Sequence, residues 1–160
     1  MSQAGVIDSL QFAREGGEKS GSLDLSSMPR LAESGCTAAT LDYVLRGGEN
    51  SNQRASLHLE IDGQLLLQCQ RCLSPLEYPV QASVELELAQ NQSQIDTAED
   101  DKDRVLASKN MDVAALVEDE AILALPMIPV HERCVEIRPE EARKPSPFAA
   151  LTVLKKGSPH

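Results

Sequence analysis

Tryptophan is absent from this 160-residue chain, and its only aromatic rings besides histidine are Phe12, Tyr43, Tyr78 and Phe148. A stacking-based binder of single-stranded nucleic acid needs rings on which bases can lie, so that mode is excluded. Positive charge is also scarce: 15 Lys and Arg stand against 25 Asp and Glu, a formal net charge of −10. Affinity for duplexes rests largely on cations that neutralise phosphates, so most of this surface would repel bare nucleic acid. An acidic chain suits basic protein partners, or offers a basic patch only locally. Long apolar runs are missing as well, and nothing approaches the roughly 18 consecutive apolar residues of a membrane-spanning helix. Residues 1–10 have no basic stretch and no apolar run of signal-peptide length. The expectation is a cytoplasmic protein with no membrane role, whose thiols stay reduced. Cys36, Cys69, Cys72 and Cys134 are then packing residues, metal ligands or redox groups rather than a disulfide framework.

Catalytic constellations are missing too. There is no nucleophile elbow, no glycine loop to cradle phosphates and no HExxH. Glu118-Asp119-Glu120 resembles a carboxylate cluster, but successive helical side chains point about 100° apart and cannot share one site. Glu118 and Asp119 are read as outward, solvating groups. The chain reads as a non-enzyme without a small-molecule substrate.

What is present fits one α+β domain over residues 1–141, with an acidic loop near 92–104 and a basic C-terminal helix or tail over 142–160. Residues 61–101 hold eight acids and one base, Arg71, whereas 142–160 hold four bases and no acid. The cluster Asp96–Asp103 has no hydrophobic period and reads as a solvated, mobile loop. The middle of the chain alternates. Thr37, Ala39, Leu41, Tyr43 and Leu45 share one face of a strand, and Leu57, Leu59 and Ile61 one face of the next. Asp62-Gly63 separates two alternating runs and predicts a two-residue hairpin. The run from Gln64 ends at Cys69, Ser74-Pro75 turns the chain, and Val80, Ala82, Val84, Leu86 and Leu88 line one face of a further strand. Three or four antiparallel strands with one wet face follow, as a meander that can curl toward a barrel.

Helices are expected to flank this sheet. Ser26-Ser27 reads as an N-cap before Met28-Pro29, with Gly35 as the stop. A longer helix is predicted from Asp112 to Leu125, burying Val113, Leu116, Val117, Ala121 and Ala124 and ended by Pro126. Ser146-Pro147 opens a short helix with Phe148, Leu151 and Leu154 on one side and Lys155-Lys156 at its negative pole.

Two segments carry possible chemistry. Cys69-x-x-Cys72 sits at the tip between two strands, and two thiolates at this spacing can hold one zinc ion if the backbone turns tightly. His131-x-x-Cys134, after the stiff Pro126-Met127-Ile128-Pro129, supplies the second pair of a Cys3His set. The stretch between the pairs far exceeds that of an ordinary finger, but loop closure costs only about 0.6 kcal/mol per doubling of length. The competing reading makes these cysteines buried packing residues. A redox role is weaker, because no helix N-terminus lies at Cys72 to depress its thiol. Cys36 reads as packing. At the C-terminus, Phe148 and Leu151 either dock on the chain's own core or, with the neighbouring bases, contact RNA or a ribonucleoprotein.

These residues have a family likeness. Cys69-Gln70-Arg71-Cys72, then Val117-Glu118-Asp119-Glu120 followed by Leu123-Ala124-Leu125-Pro126-Met127-Ile128-Pro129-Val130-His131, then Lys144-Pro145-Ser146-Pro147-Phe148-Ala149, resemble the bacterial YceD family of large ribosomal RNA subunit accumulation proteins. Ile7-Asp8-Ser9-Leu10 and Gly21-Ser22-Leu23 are similar as well. The resemblance implies a role in making or keeping 23S ribosomal RNA, hence in large-subunit biogenesis, and carries over no catalytic residue. Its implied partners are large-subunit ribosomal RNA or a precursor particle. The acidic faces favour basic ribosomal proteins, while Arg71, Arg133, Arg138, Arg143, Lys144, Phe148, Lys155 and Lys156 are the candidates for local contact with RNA or a partner. The alternatives are a cysteine-based metal- or redox-handling protein acting indirectly on ribosomal RNA, and a structural module that binds only protein.

Overall fold

Alternating side chains build the centre of the sheet, as the sequence leads one to expect. A computed structural model describes residues 5–134 and 147–151. In chain order the elements are β1 (Val6–Ile7), α1 (Ser9–Arg14), β2 (Glu18–Asp24), α2 (Pro29–Glu33), β3 (Ala38–Glu49), β4 (Ala55–Gln68), β5 (Pro75–Ala89), α3 (Gln92–Asp96), β6 (Arg104–Leu106), β7 (Met111–Asp112) and α4 (Val113–Leu123). The architecture is α+β. One sheet of five strands has the order β2-β3-β4-β5-β6, and β1 pairs separately with β7. All neighbours in the larger sheet are antiparallel except β5 and β6, which run parallel. The sheet is open, with β2 and β6 at its edges, so it does not close into a barrel.

The inward faces are those read from the pattern, except that Thr37 lies exposed just before β3 begins. Ala39, Leu41, Tyr43 and Leu45 of β3 and Leu57, Leu59 and Ile61 of β4 are buried, and Val80, Leu86 and Leu88 of β5 join them. Ala13 of α1, Leu31 of α2 and Val113, Leu116, Val117 and Ala121 of α4 complete the same core. The opposite face stays wet, with Asp42 and Asp62 exposed and paired across β3 and β4.

Asp62-Gly63 is not a turn. Strand β4 runs straight through it, with Gly63 opposite Leu41 on one side and Val80 on the other. A Cβ on Gly63 would be driven into the Thr40 carbonyl oxygen and would lie 2.9 Å from Leu41 Cα. Glycine is there for close backbone approach inside a strand, not for a hairpin.

The helix ends differ from expectation in one informative way. Asp112 caps α4, its Oδ1 accepting the Ala114 N–H at 2.9 Å, and Asp8 likewise caps α1 through the Gln11 N–H. Ser26-Ser27 does not cap α2. These serines lie in a 3-10 turn, and the cap residue Met28 gives no side-chain bond. Pro29 occupies the first helical position and Gly35 follows the end with φ +96°, both as predicted. The missing cap comes from Glu118, which faces inward at 3 % exposure instead of solvating the surface.

The acidic segment contains α3, capped by Asn91, and Arg104 returns to hold Asp100 at 2.5 and 2.9 Å. In the C-terminal segment the Leu151 N–H donates to the Phe148 carbonyl, and both side chains are exposed. Leu154 and the expected helical end at Lys155-Lys156 lie outside the described residues. No helix among the described residues is long and apolar enough to cross a membrane.

Candidate metal centre

The tip between β4 and β5 is built by backbone bonds that leave two sulfurs facing one point. Cys69 N–H donates to the Ser74 carbonyl and Leu73 N–H to the Cys69 carbonyl, each at 2.9 Å. Leu73 closes this turn with φ +63°, a left-handed geometry that costs an L-residue roughly 1–2 kcal/mol. The Gln68 side-chain amide donates to the Leu73 carbonyl and braces the turn from outside.

The second pair of ligands arrives on the segment that Pro126 forces out of α4. Gln70 N–H donates to the Pro129 carbonyl at 2.8 Å, and the Arg71 guanidinium donates to the His131 carbonyl at 2.7 Å. These bonds lay residues 129–131 against the tip. The donor atoms of Cys69, Cys72, His131 and Cys134 then all fall within 4.8 Å of one another. Cys69 is fully buried and the other three are half-buried.

The donor set fits a tetrahedral metal ion. The sulfurs of Cys69 and Cys134 are 3.7 Å apart, and Cys72 Sγ is 3.3 Å from His131 Nδ1. Zn–S bonds of ~2.3 Å at the tetrahedral angle place two sulfurs ~3.8 Å apart, whereas a disulfide needs ~2.05 Å. His131 is also oriented for ligation. Its Nε2 lies 3.0 Å from the Pro75 carbonyl, so that nitrogen carries the proton in the neutral ring and Nδ1 keeps its lone pair toward the sulfurs.

Local electrostatics favour the thiolate at Cys69 and Cys72. Burial opposes ionisation of Cys69, but the backbone N–H groups of Cys72, His131 and Arg71 aimed at its sulfur outweigh it, and its pKa falls to about 5. The Ser74 N–H lowers the Cys72 thiol, while its hydrogen bond to Cys72 raises the His131 imidazole. Burial pushes the Cys134 thiol up, as do its two thiol neighbours. Cys36 stands apart, buried in the core with its sulfhydryl donating to the Ala38 carbonyl, and burial raises it.

The four residues expected to bind metal therefore converge. Arg71 braces the His131 carbonyl while itself remaining exposed, and Arg133 is exposed as well. Phe148 is 71 % exposed. Arg138, Arg143, Lys144, Lys155 and Lys156 lie outside the described residues. The sequence reading missed the carbonyls of Pro75 and Pro129, which orient His131 and anchor the second segment. Only the prolines flanking each half of the site, Pro75 after Cys72 and Pro129 before His131, could have signalled them.

Residues 57–155 match the family described as "Large ribosomal RNA subunit accumulation protein YceD", a span that contains the whole Cys3His cluster. A Haemophilus influenzae protein of the same name is 27 % identical over 168 aligned positions, covering 94 % of each chain. No solved structure matches the chain.

Proposed function

This chain belongs to the YceD family, and from that membership we propose that it is a non-enzymatic accessory factor of ribosome biogenesis. Its task is to support synthesis, processing or accumulation of 23S ribosomal RNA by binding a protein or RNA component of the large-subunit precursor. The observation that carries a mechanism is the convergence of Cys69, Cys72, His131 and Cys134 from segments 59 positions apart. Zinc bound by these residues supplies no reaction; it ties the strand tip to the segment after Pro129 and makes the two one rigid platform. The acidic sheet face turns away bulk RNA and favours basic ribosomal proteins, while Arg133 and the basic residues at 138–156 offer local contact with phosphates.

A thiol-based reading has in its favour the lowered pKa of Cys69 and of Cys72. Cys69 is fully buried, however, and half-buried Cys72 is engaged by His131, which suits metal ligands better than attacking thiolates. Deleting the gene and measuring the ratio of 23S to 16S ribosomal RNA tests the main reading. The ratio is expected to fall and to recover with the wild-type chain. An unchanged ratio overturns it. Crosslinking in cells then separates the modes of action: 23S fragments attached to the chain favour direct RNA contact, and attached ribosomal proteins favour protein contact.

A further inference from the structure

A cleft of about 420 Å3 opens between β6 and α4, and none of the four metal-site residues lines it. Its floor is apolar, formed by Leu86, Val105, Leu116 and Ile122. Its rim carries Asp103, Asp119 and Glu120, and Leu123 stands at the edge with 77 % exposure.

The charges on this rim do not cancel. Arg30 reaches the cleft but is engaged by Glu118 at 2.9 Å and Asp119 at 2.7 Å. Arg104 is engaged by Asp100 and Glu87. Asp103 and Glu120 have no ion pair among the described residues. The Glu87 N–H fixes Asp103 in place through its carbonyl at 2.9 Å. Burial raises the Glu120 carboxyl, and the nearby Asp103 and Asp119 raise it further, as befits an acid that lacks a counter-charge.

An apolar trough edged by unpaired carboxylates is complementary to a cation on an aliphatic stem. We propose that this cleft docks a lysine- or arginine-rich amphipathic segment of a protein partner. The stem lies along Leu116 and Ile122, its charged end meets Glu120 and Asp103, and an apolar neighbour in the segment covers Leu123. Phosphates would meet the same carboxylates as repulsion, which disfavours RNA here. A second copy of a chain carrying −10 would bring the wrong charge. The inference deepens the accessory-factor reading and rests on it only for the partner's biological identity, so failure here leaves the 23S measurement intact.

The test is fluorescence anisotropy of the full chain with a fluorescein-labelled peptide of alternating lysine and leucine. Glu120→Gln combined with Asp103→Asn, and separately Leu123→Ser, is expected to weaken binding about tenfold, whereas Asp42→Asn with Asp62→Asn on the wet sheet face leaves it unchanged. Thermal melts confirm that each variant is folded. Equal weakening by both double variants means diffuse charge attraction and overturns the proposal. So does equal binding of a lysine–serine peptide, displacement by a uridine oligonucleotide, or preferential binding of a peptide of residues 142–160, which would make the occupant the chain's own tail.

Discussion

Glu118 holds Arg30 twice. Its Oε1 accepts the Arg30 backbone N–H at 2.6 Å and its Oε2 accepts the guanidinium Nε at 2.9 Å. The same Oε1 accepts the Leu31 N–H at 3.0 Å. A single carboxylate of α4 thus satisfies the first turn of α2, 88 positions earlier in the chain, where neither Met28 nor the serines before it can. It also neutralises the arginine that would otherwise fill the neighbouring cleft with positive charge.

Removing that carboxylate leaves two helix-end donors, that of Leu31 buried, and one guanidinium without their acceptor. Glu118→Ala is expected to cost about 3 kcal/mol, the sum of a lost cap and unsatisfied groups. For a chain of this size that lowers Tm by roughly 6–12 °C. Glu118→Gln keeps one acceptor oxygen and should lose less. Urea denaturation of both variants measures the difference, and equal stability of Glu118→Ala and wild type would show that water caps α2 equally well.

Gly63 offers a sharper steric prediction. Because a Cβ there meets the β3 backbone at Thr40 and Leu41 as well as the Leu41 side chain, and the backbone cannot swing aside, Gly63→Ala must push β3 and β4 away from each other at the centre of the sheet. The expected loss is about 3 kcal/mol or more. Gly48, where an added Cβ meets nothing within 4 Å, is the control, and Gly48→Ala should be nearly neutral. A Gly63→Ala protein that melts with the wild type would contradict this packing.

The contrast at Gly63 also explains what could be read from the residues alone. Leu57, Leu59, Ile61, Leu65 and Leu67 are all buried at odd positions, so the alternation keeps its phase across Asp62-Gly63. The dipeptide's turn preference points to a hairpin, but the unbroken phase is the mark of a single strand. β2 escapes notice because Glu18–Asp24 is a polar edge strand that buries only Leu23. β6, three residues paired in parallel, is fixed entirely by tertiary contact. Glu118 is misread as a surface group because an inward carboxylate is recognisable only from the donors it meets. The four metal-site residues are legible because thiol and imidazole spacing is chemistry written locally; the carbonyls that orient them are not.

Acid should undermine the far end of the sheet. Glu87 is 3 % exposed, and although burial opposes its ionisation, Asn50, Arg54 and Arg104 hold its pKa below the ordinary glutamate value. A depressed carboxyl stabilises the fold above the unfolded pKa of about 4.3 and loses that contribution as pH falls through the folded value. Denaturation between about pH 6 and pH 3 should therefore show a flatter pH dependence in Glu87→Gln than in wild type. Glu120 has the opposite sign. Its raised pKa means stability present at acid pH and lost as pH rises through the folded value, so Glu120→Gln should raise Tm at neutral pH. A lower Tm would mean that Glu120 has a cationic partner in the fold.

Metal removal should release one segment rather than unfold the chain, because the sheet core is built without the Cys3His cluster. Cys72→Ser and Cys134→Ser are expected to lose zinc in native mass spectrometry, while Cys36→Ser, buried elsewhere, retains it. The sensitive reporter is the Gln70 amide, whose hydrogen bond to the Pro129 carbonyl exists only while the second segment lies against the tip. Hydrogen exchange at Gln70 should accelerate on chelation, with amides in the middle of β4 unaffected. If Gln70 stays protected in metal-stripped protein, the Pro129 and Arg71 bonds hold the platform together by themselves. Zinc would then be a passenger on a preformed site.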